Sequence, residues 1–239
     1  MSLWELLFPE KCILCEDVLA RGVRGVCSSC RGKLPYITEP RCKHCGKPVS
    51  SVRQEYCSGC DARISRSCLD GGLVLWEYTD AMKRVMADFK YGGCEGRADF
   101  FAEELAVNYG GRFKAWGIQA IVPVPLHRRK MWFRGYNQAE SLALALGEKL
   151  RIPVESGCLK RTRYTKPQKG LDSRQRRNNL RHAFSAGKEA DRKMKDCPAV
   201  LLVDDIYTTG ATLEACARVL RRFGIKKVYF ACLCTGRDH

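Results

Sequence analysis

From about residue 73 to the end of the chain, short apolar runs alternate with segments in which apolar residues recur at helical spacing. The runs IQAIVPVPL, AVLLVDD and KKVYFACLC are typical of buried strands. Helical spacing marks YTDAMKRVMADFKYGG, RADFFAEELAVNYGG, YNQAESLALALGEKL and ATLEACARVLRRFG, and Gly-Gly pairs predict the ends of the first two helices. Strands that alternate with helices favour a mostly parallel, doubly wound sheet. We therefore predict an α/β domain over residues 71–239.

Two segments follow directly on predicted strands, one after Val124 and one after Val203. In open α/β sheets, ligands bind at the carboxyl ends of the strands. The sequence therefore predicts that these two segments lie at one ligand-binding edge of the sheet.

Residues 1–70 lack this alternation and instead contain four C-x2-C pairs that begin 15 residues apart. Each pair can supply two thiolates to a tetrahedral Zn2+, and two pairs complete a site. We therefore predict two zinc ions, held by Cys12, Cys15, Cys27, Cys30, Cys42, Cys45, Cys57 and Cys60. We interpret both as structural, because four thiolates leave no open position for chemistry. Zinc binding is expected to drive the folding of this small domain.

The equal spacing leaves the pairing of the eight cysteines open. Sequential pairing, first with second and third with fourth, gives two successive ribbons and is the arrangement we favour. A cross-braced arrangement fits the same spacing. His44 stands between two of the cysteines, and we expect it to be a surface residue rather than a ligand.

The basic residues are concentrated in one part of the chain. The formal net charge is +16, and residues 121–183 hold 15 Lys and Arg against 4 Asp and Glu, a net charge of +11. Within this part, residues 159–183 have nine basic residues, one acid and little apolar periodicity, which predicts a flexible, positively charged hood over the strand ends. A concentrated positive field favours an anionic partner, either phosphate groups or nucleic acid, although a solvated basic surface is the alternative.

No apolar run reaches the roughly 20 residues that a membrane helix needs. The first residues, MSLWELLFPEKC, lack the basic flank and long apolar region of a secretory signal. We therefore expect a cytoplasmic protein without a membrane span, in which paired cysteines bind metal rather than form disulfides.

Asp204 and Asp205 stand side by side between an apolar strand and the turn TTGAT, which leads into a helix. The turn presents backbone N–H groups and hydroxyls at the positive end of a helix dipole, as a phosphate monoester requires. The two carboxylates repel each other, and a vicinal diol offsets this by donating charge-assisted hydrogen bonds of about 1.5–3 kcal/mol each. A ribose 5-phosphate offers both groups. The alternative is that the two aspartates only cap the following turn.

These residues resemble the type I phosphoribosyltransferases, in which VLLVDDIYTTGAT corresponds to the motif that binds the diphosphate donor. The chain is more narrowly similar to the ComF family. That resemblance rests on the cysteine pairs and on KYGG, VPVPLHRRKMWFRGYNQAE, RTRYTKPQKGL and RRNN, and extends over nearly the whole chain. It implies a type I phosphoribosyltransferase fold with a flexible hood, preceded by a double zinc ribbon over residues 1–70.

The resemblance also implies the ligand and the residues that bind it. Asp204 and Asp205 would hold the ribose hydroxyls of 5-phosphoribosyl-1-diphosphate, or of a related ribose 5-phosphate. The 5-phosphate would lie in the turn formed by Thr208, Thr209, Gly210, Ala211 and Thr212. The diphosphate would meet the earlier segment, Pro123, Val124, Pro125, Leu126, Arg128 and Arg129. Mg2+ would bridge the diphosphate and the ribose hydroxyls. Residues 134–138 form a family signature without a derived task, and no catalytic residue is assigned.

Thr208 stands where purine-salvage members of the superfamily carry an aspartate that acts as acid and base toward the purine. Purine salvage is therefore not expected, and no replacement base is evident in the sequence. One hypothesis is an enzyme, in nucleotide metabolism or elsewhere, that transfers a phosphoribosyl group to an unknown acceptor. Another is a non-catalytic competence factor that uses the site as a sensor. A third, a zinc-ribbon nucleic-acid module with a vestigial second domain, is disfavoured by the intact acidic motif.

The ComF resemblance implies a role in natural transformation or in the use of external DNA. The partners would be single-stranded DNA and the helicase or recombination proteins of DNA uptake. Single strands bind where positive charge and aromatic stacking surfaces coincide. Tyr164, Trp132 and Phe133 lie near the basic hood in the sequence and are candidate stacking residues, with hydrophobic packing as the alternative.

Overall fold

In the described residues, the central sheet has four parallel strands, β1 (Gly71–Glu77), β2 (Ala120–Pro123), β5 (Ala199–Tyr207) and β6 (Lys227–Thr235), in the order β1-β6-β5-β2. A separate antiparallel pair consists of β3 (Leu159–Arg161) and β4 (Phe184–Ala186). This computed structural model describes residues 9–92, 96–163, 180, 182–187, 194 and 197–236. The parallel direction of the central strands confirms the predicted α/β class.

The described part of the chain contains seven α-helices. Two are single turns in the N-terminal region, α1 (Ser28–Arg31) and α2 (Ser58–Asp61). The others are α3 (Asp80–Tyr91), α4 (Arg97–Ala115), α5 (Arg128–Arg134), α6 (Gln138–Leu150) and α7 (Ala211–Arg222).

Helices cover both faces of the sheet, as the doubly wound prediction requires. Successive strand residues point to opposite faces, so Leu201 and Val203 of β5 pack with the apolar residues of α3, α4 and α6. Val200 and Leu202 pack instead with α7. Two hydrophobic cores therefore lie back to back across β5.

Helix α4 is longer than predicted, because it continues through Gly110 and Gly111 to Ala115. A glycine inside a helix costs about 1 kcal/mol relative to alanine. Beyond the pair, Phe113 is fully buried, and the Trp116 ring stacks on Tyr229 with 4.3 Å between centroids. Burying these rings outweighs the glycine penalty, so the predicted Gly-Gly stop is wrong here. The stop predicted for α3 is confirmed, since that helix ends at Tyr91 before Gly92.

The two cysteine-containing units pack on opposite faces of the sheet. We name residues 9–34 the first ribbon and residues 41–63 the second ribbon. Cys12 and Cys30 of the first ribbon join the core that contains α4, whereas Cys45 and Cys60 of the second ribbon join the core that contains α7. The N-terminal region therefore packs on the sheet and shares both of its hydrophobic cores.

The segment between the two ribbons crosses from one face to the other along the outer edge of β1. The Ile37 N–H donates to Leu75 O at 3.0 Å, and the Glu77 N–H donates to Pro35 O at 2.9 Å. Tyr36 forms an antiparallel bridge with Trp76. These contacts add a short antiparallel partner to the edge of the parallel sheet.

The expected hood lies largely outside the described residues, including Tyr164, Arg174, Arg176, Arg177 and Arg181. The two segments that flank it are the antiparallel strands β3 and β4. Among the described residues, no helix has the length and apolar character needed to cross a bilayer.

Candidate functional site

A cavity of about 730 Å³ lies at the carboxyl ends of β2 and β5. Both predicted motif segments contribute to its wall, which confirms that they meet at this edge. The lining residues are Tyr78, Lys83, Lys90, Val124, Pro125, Leu126, Lys130, Arg134, Asn137, Gln138, Ala139, Arg161, Asp204, Asp205, Ile206, Thr208 and Thr212.

The acidic pair lies inside β5 rather than after it, because the strand continues to Tyr207. Asp205 pairs with Lys90 at the end of α3, with 2.7 Å between Oδ2 and Nζ, and both side chains are largely buried. Burial alone would lower the pKa of Lys90, but the charge of Asp205 outweighs it and the net shift is upward.

Asp204 carries a carboxyl group whose pKa is raised. Burial, and then the neighbouring charge of Asp205, raise its pKa to about 7. The Asp205 N–H donates to Asp204 Oδ1 at 2.9 Å, which favours the charged form and partly opposes this shift. Asp204 therefore carries a charge that titrates near neutral pH, beside the ion pair of Asp205 and Lys90.

The residues of the turn after β5 line two different cavities. Gly210 adopts φ +72°, a left-handed conformation that glycine tolerates best, and α7 begins at the next residue. Thr208 and Thr212 line the large cavity. Thr209 and Gly210 line a second, smaller cavity of about 120 Å³ against the second ribbon. Ala211 is buried.

The segment after β2 meets the expectation only in part. Val124 and Pro125 line the large cavity. Arg128 and Arg129 begin α5, a helix the sequence did not predict, and are exposed outside that lining. The basic residue of α5 that reaches the cavity is Lys130.

The signature at residues 134–138 connects the two walls of the cavity. Arg134 donates to Gln138 Oε1 at 2.9 Å and to the Tyr91 hydroxyl at 3.0 Å. Gln138 Nε2 donates to Lys90 O at 3.3 Å, and the Tyr136 hydroxyl donates to Phe89 O. These bonds hold the end of α3, and with it Lys90, beside the start of α6.

Asn137 completes this connection on the other side. It is 6% exposed, and its Nδ2 donates to Val124 O at 3.2 Å. A flipped amide would place two oxygen atoms together, so this bond fixes its orientation. The signature therefore ties α3, the segment after β2 and α6 into one frame.

The cavity lining is strongly cationic. It carries two acids and five basic residues, Lys83, Lys90, Lys130, Arg134 and Arg161. Burial lowers the pKa of Lys130, and the nearby positive charge of Arg161 adds to this. Burial also lowers the pKa of Arg161, which comes from β3 at the base of the hood. Cations whose pKa is lowered by burial and by neighbouring positive charge form a site that an anion would stabilise.

The eight N-terminal cysteines form two clusters of four. One holds Cys12, Cys15, Cys27 and Cys30, and the other holds Cys42, Cys45, Cys57 and Cys60, with all ligand atoms of each within 4.8 Å of one another. Sequential pairing is therefore confirmed. The Cys15–Cys27 and Cys45–Cys57 sulfurs lie 3.8 and 3.7 Å apart. Tetrahedral Zn–S bonds of about 2.3 Å require a separation of roughly 3.8 Å, so the clusters fit structural zinc.

His44 is 8% exposed, so the expectation that it lies on the surface is wrong. The loop that carries His44 packs against β1. The His44 carbonyl oxygen lies 3.6 Å from the position that a Cβ on Gly71 would take. His44 lies outside the group of four sulfurs that forms the second cluster.

Family models match the N-terminal region and the α/β domain separately. Residues 3–61 match the model described as a double zinc ribbon domain, and residues 135–239 match the phosphoribosyl transferase domain. The chain is 31% identical over 229 residues to competence protein F of Haemophilus influenzae, covering 92% of this chain and 95% of that protein.

Other relatives are similar over most of their length. The chain is 29% identical over 233 residues to the DNA utilization protein YhgH of Escherichia coli K12, covering 96% of this chain and 98% of that protein. It is 27% identical over 241 residues to competence protein ComFC of Bacillus subtilis, covering 89% of each.

Proposed function

The chain belongs to the ComF family, and on that premise we propose that its large cavity binds 5-phosphoribosyl-1-diphosphate or a related ribose 5-phosphate. The observation that carries the proposal is the distribution of charge and hydroxyl groups around one cavity. An acidic pair and a hydroxyl-bearing turn at a helix N-terminus share one wall, and five basic side chains line the same space. These are the groups that a ribose with phosphates at both ends requires.

The 5-phosphate is assigned to the turn between β5 and α7. Thr208 and Thr212 line the cavity, and their hydroxyls can donate to phosphate oxygens. The 12-residue helix α7 adds the favourable end of its dipole and the N–H groups of its first turn. Gly210 permits the left-handed backbone conformation that this turn adopts before α7.

The ribose hydroxyls are assigned to Asp204 and Asp205, which precede the turn by a few residues. Lys90 fixes the Asp205 carboxylate by an ion pair. Asp204 accepts a hydrogen bond from a ribose hydroxyl more strongly when its carboxyl group is charged. Binding of a diol should therefore lower the pKa of Asp204 and release a proton near neutral pH. The same carboxylates would stabilise positive charge that develops on the ribose when its bond to diphosphate breaks.

The diphosphate is assigned to the basic side of the cavity. Lys130 and Arg161 supply charge there, beside the segment after β2. Mg2+ would enter with the ligand, because it binds phosphate oxygens and keeps most of its own water, and needs few protein ligands. When bound, it would neutralise part of the diphosphate charge and support departure of that group.

Titration calorimetry with 5-phosphoribosyl-1-diphosphate, with and without Mg2+, tests the assignment. We expect binding that Mg2+ strengthens and that the double variant Asp204→Asn/Asp205→Asn abolishes without unfolding the protein. Asp99→Asn, which removes a carboxylate paired with Arg24 and Lys149 away from the cavity, should bind as the wild type does. Equal binding by wild type and double variant would reject the ribose assignment.

Whether a phosphoribosyl group is transferred can then be measured as diphosphate release. Candidate acceptors are added to the protein with 5-phosphoribosyl-1-diphosphate and Mg2+, and the same double variant serves as control. Release that depends on an acceptor and on the acidic pair would identify a phosphoribosyltransferase. Binding without release across the acceptors would favour a sensor of the ligand.

We further propose that the protein acts in the uptake or use of DNA, in the cytoplasm, and binds single-stranded DNA. Relatives over most of the chain are named for competence and for DNA utilization. One surface of α5 suits a single strand: Trp132 and Phe133 are 82% and 79% exposed and sit edge to face, 5.2 Å between centroids. Arg128 and Arg129 are exposed on the same helix. Stacking and positive charge together are what single strands require.

Binding of a labelled single-stranded oligonucleotide tests this surface. Each base stacked on an aromatic ring contributes about 1–3 kcal/mol, so Trp132→Ala/Phe133→Ala should weaken binding by about tenfold or more. Val107→Ala, which removes another exposed apolar side chain on α4, is the matched control. Unchanged affinity in the double variant would exclude α5 as the stacking surface.

A further inference from the structure

The turn assigned to the 5-phosphate is held from behind by the second ribbon. Arg63, three residues after the last cysteine of that ribbon, donates to the backbone carbonyl of Thr209 at 2.8 Å. Its Nε also donates to Gly59 O within the ribbon. A single guanidinium therefore joins the zinc-binding unit to the middle of the turn.

The residues that follow the second ribbon also contact the first turn of α7. The Ser67 hydroxyl donates to Glu214 Oε2 at 2.9 Å, and the Cys68 N–H donates to Glu214 Oε1 at 2.7 Å. Glu214 lies one helical turn beyond Gly210, and its own N–H donates to Gly210 O at 2.8 Å. The middle of the turn and the first turn of α7 are thus both held by the region that follows Cys60.

A third contact involves Tyr207, the residue before the turn. Its ring stacks on Phe230 with 4.9 Å between centroids, and Lys47 of the second ribbon lies 5.6 Å from the centroid of the Tyr207 ring. The knuckle that carries Lys47 is itself pressed against β1, since a Cβ on Gly46 would lie 3.1 Å from backbone atoms of residues 72–74. The second ribbon is therefore built into the wall behind the cavity.

The first ribbon makes its polar contacts elsewhere. Arg24 pairs with Asp99 at 2.7 Å, and Arg31 pairs with Glu104, both on α4. The second ribbon also reaches α4, where Arg41 donates to the Tyr109 hydroxyl at 2.8 Å. Of the two ribbons, the second is the one whose residues contact the turn after β5.

We propose that the second zinc site positions the phosphate-binding turn through Arg63, so that zinc occupancy there and ligand binding in the cavity are coupled. This inference rests on the proposed function, because it takes the turn as the 5-phosphate site. Arg63 is a positioning residue: it contacts the back of the turn, whereas Thr208 and Thr212 face the ligand. By linkage, a ligand that needs the ordered turn must bind more tightly when the second zinc is present, and must raise the affinity of that zinc by the same factor.

The first test compares the affinity for ribose 5-phosphate of wild type, Arg63→Ala and Arg63→Lys. Loss of one charge-assisted hydrogen bond predicts about tenfold weaker binding for Arg63→Ala, with partial recovery in Arg63→Lys. Arg31→Ala is the matched control, because it removes an arginine that joins the first ribbon to α4, and it should bind ribose 5-phosphate like wild type. If Arg63→Ala and Arg31→Ala bind equally well, the positioning role is rejected.

The second test reads zinc rather than activity, in wild-type protein and in a variant that lacks the first site. A coloured chelator is titrated in the presence and absence of ribose 5-phosphate. We expect the ligand to protect one of the two zinc ions, and Cys12→Ser, which retains only the second site, to show the same protection. Protection of both ions or of neither would overturn the coupling. Absence of ribose 5-phosphate binding by wild type would reject the proposed function together with the inference, whereas binding without selective protection rejects the inference alone.

Discussion

Lys90 and Asp205 form an ion pair across the wall of the cavity, with 2.7 Å between Nζ and Oδ2. The lysine ends α3 and the aspartate lies in β5, so the pair joins a helix to the central sheet at the site where a ligand is proposed to bind. Because Asp204 carries the next carboxyl group along the strand, Lys90 also reduces the repulsion between the two acids.

Replacing Lys90 by methionine should therefore weaken binding of 5-phosphoribosyl-1-diphosphate by at least about tenfold, since a buried ion pair that loses one partner leaves an uncompensated charge. Lys90→Arg should retain part of the affinity, because it keeps the charge. Calorimetry on the three proteins measures the effect. Wild-type affinity in Lys90→Met would show that the pair does not orient the carboxylate for the ligand.

Asp204→Asn should stabilise the protein in a manner that depends on pH. The folded state holds the Asp204 proton up to about pH 7, whereas an unfolded aspartate loses it near 4. Stability from this group is therefore present at low pH and is lost as the pH rises through this interval. The advantage of Asp204→Asn over wild type should grow by on the order of 2 kcal/mol between pH 5 and 7.5, and then level off.

Denaturant unfolding of both proteins across that range provides the measurement. Asp61→Asn, which changes an exposed aspartate at the end of α2, serves as the control variant. A difference between Asp204→Asn and wild type that does not change with pH would contradict the raised pKa.

Two zinc ions per chain are expected by elemental analysis, and each cluster should lose its metal independently. Cys12→Ser should leave one zinc, and so should Cys57→Ser, because the two sets of four sulfurs are separate. Since each ribbon packs into a different core, both variants should also lower the melting temperature of the whole protein. Loss of both ions in either single variant would show that the sites are not independent.

The salt dependence of DNA binding should report on the basic residues of α5. Each phosphate contact on a single strand adds about 0.7 to the slope of log affinity against log salt. Arg128→Gln/Arg129→Gln should reduce the slope by up to about 1.4, whereas Trp132→Ala/Phe133→Ala should weaken binding with little change in slope. Arg112→Gln/Lys114→Gln, an equal change of charge on α4, is the control, and equal slopes in both charge variants would exclude a local DNA site on α5.

Gly111→Ala should stabilise the protein by about 0.5–1 kcal/mol. The residue lies inside α4, is exposed, and a Cβ there would have no neighbour within 4 Å, so the helical preference of alanine applies without a steric cost. Gly210→Ala should have the opposite effect, because a Cβ would lie 2.7 Å from the Tyr207 hydroxyl at a left-handed backbone position. Thermal unfolding compares the two, and a destabilised Gly111→Ala would mean that α4 is strained at this point.

The sequence predicted the elements whose patterns are local. The strand that carries Asp204, the helix after Gly210 and the four cysteine pairs all follow from spacing and turn chemistry within a few residues. The prediction of α4 failed at Gly110 because the stabilising contacts of Phe113 and Trp116 are made with distant residues. Such tertiary packing overrides helix propensity and leaves no local signal.

The site was predicted in part for the same reason. Asp204, Asp205, Thr208 and Thr212 belong to one contiguous motif, and they do meet in the cavity. Lys90 and Arg161 reach the same cavity from distant parts of the chain, and only the fold brings them there. The family resemblance implied that Arg128 and Arg129 meet the ligand, but the helical geometry of α5 turns Lys130 toward the cavity and leaves the two arginines exposed.

Tyr36 and Ile37 form a short antiparallel partner along β1, and this pairing protects the edge of the sheet from association with another chain. An apolar edge strand with unpaired backbone groups is a template for another chain, and β1 is buried along nearly its whole length. A fragment that begins at Gly71 would expose that edge, together with the parts of the two hydrophobic cores that the ribbons cover. Truncation of the N-terminal region should therefore yield aggregates rather than a folded ligand-binding domain. Removal of zinc should also favour aggregation.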